Sequence, residues 1–111
     1  MSEDVGSWQR VAAAEDVPEG EILALRLGER QVALYNVEGR IYATDNVCTH
    51  AYALLSDGWL DGTVVECPLH GGQFDVTTGE ALSSPCERAL STFPTRVAEG
   101  QVEILLPSGA G

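Results

Sequence analysis

The feature that most constrains the fold is a pair of short Cys/His segments, "CTH" at 48–50 and "CPLH" at 67–70, separated by sixteen residues. The chain has only two histidines and three cysteines, and each histidine follows a cysteine by two or three residues. A metal needs its ligands within about 2.0 to 2.3 Å, and two loops that each offer a thiolate and an imidazole can supply them. We therefore expect the fold to bring the two segments together at one site.

Three other interpretations stay open from the residues alone. The cysteines could be small buried hydrophobic residues that happen to lie beside histidines. Two Cys and two His would also complete a tetrahedral zinc site, although only Thr49 separates Cys48 from His50, and zinc ligand pairs usually lie further apart. A Cys/His nucleophile would need an orienting third group, which neither segment supplies. The spacing argues against zinc, but the set of four ligands keeps zinc as the main alternative.

Short runs rich in Val, Ile, Leu and Tyr alternate with Gly, Asp and Asn turns, which predicts an all-β fold. The predicted strands are 21–27, 31–37, 40–45, 63–67, 72–76, 95–99 and 102–106. The first three form a meander, and Glu-Gly turns at 38–39 and 99–100 predict tight hairpins. The Ala-rich segment 11–17 is predicted as strand followed by turn, because Pro18 and Gly20 stop a helix. We expect antiparallel β-sheets in a sandwich or small barrel.

The 111 residues are predicted to form a single domain, residues 1–111, with frayed termini. Within it, residues 46–84 are rich in glycine and turns and contain both Cys/His segments, so they are predicted to be an inserted subdomain that carries the site. Four aromatic residues are predicted to be core or half-buried strand residues: Trp8, Tyr35, Tyr42 and Trp59.

The net charge of the chain limits the classes of molecule that it is expected to bind. Seventeen acidic residues against six basic ones give a net charge of −11, which predicts no binding to nucleic acid or anionic membrane. Two interpretations of this charge stay open: attraction to a basic docking patch on a partner protein, or solubility alone. The acidic start "MSEDVGSWQR" and the lack of an apolar run of about 20 residues predict a soluble cytoplasmic protein. An odd count of cysteines predicts metal-bound or free thiols, with Cys86 a free thiol.

The pattern C-x-H, sixteen residues, C-x-x-H, then "GGQFD" resembles the signature of the Rieske [2Fe-2S] family. The resemblance extends over residues 8–106 and is strongest to the small ferredoxins of bacterial multicomponent aromatic-ring dioxygenases. It implies a Rieske-type fold and one [2Fe-2S] cluster. By the same resemblance Cys48 and Cys67 hold the inner iron, and His50 and His70 hold the outer iron through Nδ1.

The function implied by the resemblance is one-electron transfer by a protein that is not itself an enzyme. Its implied partners are an NAD(P)H-dependent flavoprotein ferredoxin reductase, which donates the electron, and a terminal oxygenase, which receives it. Two alternatives stay open: the small Rieske-like subunit of an assimilatory nitrite reductase, and a zinc-stabilised interaction module.

The sequence departs from the respiratory branch of the family at four positions. Ala53 and Leu69 stand where that branch has two further cysteines joined in a disulfide. Gly72 and Phe74 stand where it has a serine and a tyrosine whose hydroxyls bond the sulfurs of the cluster. Because such hydrogen bonds favour the reduced cluster, their loss predicts a potential near the bottom of the Rieske range of roughly −150 to +300 mV.

Overall fold

The computed structural model describes residues 7–48, 53–69, 71–83 and 88–106. Within these residues the chain forms ten β-strands and two 3₁₀ turns of three residues each. The strands are β1 Ser7–Ala13, β2 Ile22–Leu27, β3 Arg30–Val37, β4 Arg40–Asp45, β5 Trp59–Asp61, β6 Val64–Glu66, β7 Gln73–Asp75, β8 Thr92–Phe93, β9 Thr95–Ala98 and β10 Gln101–Leu106. The 3₁₀ turns are Ala14–Asp16 and Leu55–Asp57. The prediction of an all-β fold is confirmed.

The strands pair into three antiparallel sheets, in the orders β1-β10-β9, β2-β3-β4-β8 and β5-β6-β7. The first two sheets form what we call the base, which consists of β1–β4 and β8–β10. We call residues 46–84, which contain the third sheet, the insert. The predicted meander is β2-β3-β4, with Val37 opposite Arg40 across the hairpin.

Both predicted hairpin turns have the backbone that a two-residue turn requires. Glu38 and Gly39 have φ of 54° and 92°, and Glu99 and Gly100 have φ of 53° and 77°. Positive φ at both central residues matches the right-handed twist of the flanking strands, and glycine adopts it without strain. The two Glu-Gly pairs therefore fix the registers of β3 with β4 and of β9 with β10.

Two buried clusters fill the interior. One lies within the base and comprises Val17, Val32, Leu34, Ile41, Ala43, Phe93, Val102 and Ile104. The other joins the base to the insert and comprises Ala33, Tyr35, Cys48, Leu55, Val65, Cys67, Phe74, Val76 and Leu90. Because β3 alternates its side chains, Leu34 enters the first cluster while Ala33 and Tyr35 enter the second. Strand β3 therefore anchors the insert to the base.

The structure also corrects the sequence-based predictions. Three short elements were not predicted: β5, β8 and the 3₁₀ turn Leu55–Asp57. They have only two or three residues each, too few to show a hydrophobic period. The prediction that Trp59 is buried or half-buried is wrong, because 61% of this residue is exposed. The Ala-rich segment is a strand followed by a turn, as predicted.

Some predictions fall on residues that the structure does not describe, among them the frayed ends at 1–6 and after Pro107. None of the helices in the described ranges is long or apolar enough to cross a lipid bilayer.

Candidate metal centre

The two Cys/His segments lie in loops that close in the same way. In the first loop the backbone N–H of Cys48 donates to the carbonyl of Ala53 at 2.9 Å, next to a bridge between Val47 and Leu54. In this loop, as in the second one, the N–H of the cysteine bonds the carbonyl of the residue five positions further along. We call the four residues between the bonded pair, 49–52 and 68–71 in the sequence, the tip of each loop.

The second loop repeats this closure between β6 and β7. The N–H of Cys67 donates to the carbonyl of Gly72 at 2.7 Å, next to the paired residues Glu66 and Gln73. Each cysteine is therefore the first residue inside a closed loop. This shared construction gives the two thiols equivalent positions in their loops.

Both thiols are buried in the same cluster of side chains. Cys48 is 4% exposed and Cys67 is 1% exposed, and both belong to the cluster that contains Leu55, Val65 and Phe74. An isolated thiolate in such surroundings would pay a large desolvation penalty, which binding to a metal offsets. The donor chemistry and the burial of the two cysteines therefore fit the inner iron of a [2Fe-2S] cluster.

A buried asparagine fastens the first loop. Asn46 is 1% exposed; its side-chain amide donates to Oγ of Ser56 at 2.9 Å and accepts from the N–H of Ser56 at 2.8 Å. Its own N–H donates to the carbonyl of Gln31 in β3, and its carbonyl accepts from the N–H of Leu55. Asn46 thus holds both ends of the first loop together and ties them to the base.

A glycine allows the two loops to approach each other. Gly58 follows the first loop, and a Cβ at this position would overlap the carbonyl oxygen of Glu66 and come within 3.2 Å of Pro68 Cδ. Because Glu66 and Pro68 flank Cys67, the chain that leaves the first loop lies directly against the second. Any larger residue at position 58 would push the two loops apart.

The two positions at which the respiratory branch has hydroxyls and this chain has none lie close to the second cysteine. Phe74 is fully buried in the cluster that contains Cys67, and buried Gly72 accepts the hydrogen bond that closes the loop. Phe74 has no hydrogen-bonding group in its side chain, and Gly72 has no side chain at all. Next to them, Gly71 has φ of 76°, a value that glycine adopts readily.

The other predicted ligands, His50 and His70, lie outside the described residues, and so does Cys86. Within the described ranges, no three or more His, Cys, Asp or Glu side chains group as a metal site. The structure therefore brings the two predicted cysteine ligands into one cluster, and the assignment of the histidines stays a prediction.

Sequence reasoning missed Asn46 as a structural residue. Its position two residues before Cys48 was the available signal. The partner Ser56 could not be predicted, because the bonds between them depend on how the loop folds back.

Comparison with known proteins agrees with this architecture. A family model described as Rieske [2Fe-2S] domain matches residues 7–94. The ferredoxin component of the naphthalene 1,2-dioxygenase/salicylate 5-hydroxylase systems of Ralstonia sp. is 46% identical over 96 residues, which cover 86% of this chain and 92% of that protein.

Two solved structures have the same fold. The Sphingomonas yanoikuyae B1 ferredoxin superposes with a TM-score of 0.87 at 41% identity, covering 91% of this chain and 100% of that one. A chain from the complex of reduced oxygenase and oxidized ferredoxin in carbazole 1,9a-dioxygenase has a TM-score of 0.85 at 44% identity, covering 94% of this chain and 97% of that one.

Proposed function

Because this chain belongs to the Rieske [2Fe-2S] domain family and carries one Rieske-type cluster, we propose that four side chains hold that cluster. They are the thiolates of Cys48 and Cys67 and the imidazoles of His50 and His70. The equivalent positions of the two buried cysteines in loops of identical closure carry this proposal. Within a single domain of residues 1–111, the insert is then the cluster-binding subdomain.

The chain is an electron carrier to a terminal oxygenase and not an enzyme. A Rieske cluster, when bound, accepts and donates one electron. The protein supplies the buried surroundings: Leu55, Val65 and Phe74 keep water from the inner side, where the cysteines lie. In this proposal the electron leaves through the imidazoles of His50 and His70.

The donor in this proposal is an NAD(P)H-dependent flavoprotein reductase, and the acceptor is the oxygenase of an aromatic-ring dioxygenase system. A cytoplasmic location follows from the need for reduced nicotinamide. The absence of hydroxyls at Gly72 and Phe74 supports a low potential, which suits transfer from a flavin to an oxygen-activating iron enzyme.

The ligand assignment can be tested by replacing each of the three cysteines with serine. Cys48→Ser and Cys67→Ser are expected to lose the iron and sulfide, which should be about two of each per chain in the unaltered protein. Cys86→Ser is the matched control and should keep them. Full iron content in Cys67→Ser, or one zinc in place of iron, would contradict the assignment.

Electron delivery can be tested with the unaltered protein. The dithionite-reduced protein, mixed without oxygen with the oxidised terminal oxygenase of the Ralstonia naphthalene system, should lose one electron per chain to that oxygenase. Rapid-mixing spectroscopy would follow the return of the oxidised spectrum. A reduced protein that stays reduced in the presence of the oxygenase would argue against the proposed acceptor.

A further inference from the structure

The strand pairing shows which side chains share the outer face of the third sheet. Antiparallel pairing places Trp59 opposite Glu66, and Glu66 opposite Gln73. The row continues to Leu82, whose N–H donates to the carbonyl of Gln73 at 2.7 Å. Residues directly opposite each other point to the same face of a sheet, so these four side chains form one row.

A second row of outward-facing side chains lies two residues further along the strands, away from the loop between β6 and β7. Asp61 is opposite Val64, Val64 is opposite Asp75, and the N–H of Asp75 donates to the carbonyl of Glu80. The intervening row faces inward, since Val65 and Phe74 are fully buried. The two outer rows therefore make one continuous surface, which we call the acidic wall: Trp59, Asp61, Glu66, Asp75, Glu80 and Leu82.

The acidic wall combines exposed apolar side chains with charge of one sign. Trp59 is 61% exposed and Leu82 is 44% exposed, at the two ends of the first row. Four carboxylates stand around them, and no lysine or arginine occurs between Arg40 and Arg88 in the sequence. A large exposed tryptophan in such a setting is typical of an interface residue, not of a protein surface in general.

The acidic wall is continuous with the second Cys/His loop. Its first row contains Glu66 and Gln73, which flank the loop directly, and a strand rises only about 3.4 Å per residue. Leu69, in the tip of that loop, is 51% exposed and extends the apolar surface. A partner seated on the wall would therefore also contact the loop that contains His70.

We propose that the acidic wall docks the terminal oxygenase, on a patch of that enzyme with an apolar centre and a basic rim. This proposal rests on the proposed function, and names the surface by which the electron acceptor is recognised. Complementary charge supports a basic partner, because the wall offers four carboxylates and no cation. Trp59 and Leu82 would supply most of the affinity, as buried aromatic and aliphatic anchors do in other interfaces.

The test compares two double variants of the full, cluster-loaded protein. The wall variant is Trp59→Ala with Leu82→Ala. The control is Trp8→Ala with Val97→Ala, which removes exposed residues of the same kind from the base, where Trp8 is 38% exposed and Val97 is 52% exposed. The dissociation constant for the Ralstonia oxygenase is expected to rise roughly tenfold or more in the wall variant, and less than about twofold in the control.

A second pair of variants tests the charge. Asp61→Asn with Glu80→Gln should weaken binding to the oxygenase and reduce its dependence on salt. Asp16→Asn with Glu29→Gln makes the same change of net charge on the base and should alter both quantities less. Equal effects of the two pairs would mean that only the total charge matters and would overturn the role of the wall.

Iron content and the visible spectrum of every variant are measured first, so that weaker binding is not mistaken for loss of the cluster. Unchanged affinity of the loaded wall variant overturns the proposal while leaving electron delivery intact. A wall variant that is impaired only in its reduction by the reductase would assign the wall to that partner, and would also overturn it. If the unaltered protein neither binds nor reduces the oxygenase, the proposed function fails and the wall proposal falls with it.

Discussion

The base and the insert are held together by different means. Five strands of the base span six to eight residues, whereas the three strands of the insert have three residues each. All six arginines lie in the base or its connections, outside residues 41–87, while the insert has five carboxylates and no lysine or arginine. The base contains the ion pair of Arg96 with Glu103, at 2.6 Å.

This difference implies that the base contributes most to the stability of the fold, whereas the insert shapes the cluster site. Long strands and a buried cluster of their own stabilise the base through apolar burial, which needs no cofactor. The short strands of the insert depend on loop closure, on Asn46 and on the contact at Gly58. Changes in the insert should therefore affect the cluster, and comparable changes in the base should affect stability alone.

The largest effect is expected from Gly58→Ala. The added methyl overlaps the carbonyl oxygen of Glu66, so the two Cys/His loops must separate, at a cost of about 2 kcal/mol or more. Iron per chain should fall severely. Gly62→Ala is the control, since a Cβ there meets no atom within 4 Å and only its φ of 63° is unfavourable. Iron analysis of both variants would check this, and full iron in Gly58→Ala would contradict it.

The next effect compares two buried asparagines. Asn46 fastens the first Cys/His loop, while Asn36 in the base donates to the carbonyl of Val17 at 2.6 Å and accepts from the N–H of Gly39 at 2.8 Å. Replacing either by alanine removes two hydrogen bonds and should cost about 2 kcal/mol of unfolding free energy. Only Asn46→Ala should also change the EPR spectrum of the reduced protein. The same spectral change in Asn36→Ala would break the distinction between the regions.

A smaller effect concerns Tyr35, whose hydroxyl donates to Thr44 Oγ1 at 2.8 Å while Thr44 donates to the carbonyl of Asp45. Burial raises the pKa of Tyr35 well above its usual value of about 10. The raised pKa stabilises the fold fully below pH of about 10, and this contribution is lost as pH rises above it.

Tyr35→Phe should therefore cost about 1 kcal/mol at pH 8 and remove part of the loss of stability between pH 8 and 11. Denaturant unfolding of the variant and of the unaltered protein at pH 8 and pH 11 measures both free energies. The iron content and the potential should stay unchanged. An identical alkaline loss in the variant would show that Tyr35 does not titrate on unfolding.

The smallest effect is on the reduction potential. Phe74→Tyr and Gly72→Ser restore the two hydroxyls that the respiratory branch has. If each new hydrogen bond favours the reduced cluster by about 1 kcal/mol, the potential rises by about 40 mV per bond. Voltammetry of the loaded variants measures it. A potential that stays constant or falls in Phe74→Tyr would mean that the missing hydroxyls do not set a low potential.

The base could be predicted from sequence almost strand by strand, because its signals are local. Residues 31–37 and 40–45 have β-rich composition bounded by Gly-containing turns, and the structure has β3 and β4 within one residue of these limits. Glu38-Gly39 specifies the turn by its backbone preference alone. Such features need no knowledge of the rest of the chain.

In the insert, the sequence predicted the chemistry and two of the three strands, β6 and β7, but not the rest. The spacing of the Cys/His segments indicated the metal and the family, but β5 is too short for a pattern, and its Trp59 was wrongly predicted to be buried. The contacts of Asn46 with Ser56 and of Gly58 with Glu66 join residues eight to ten positions apart through loops without periodicity. Composition does not encode such contacts, since they depend on the final path of the chain.

The central claim is that the insert holds a [2Fe-2S] cluster with two thiolates and two imidazoles. The chain has only two histidines, so ¹⁵N-labelled histidine reports on His50 and His70 alone. Pulsed EPR of the reduced, labelled protein should detect two strongly coupled ¹⁵N nuclei at the cluster. Detection of one coupled nitrogen, or of none, would contradict the claim.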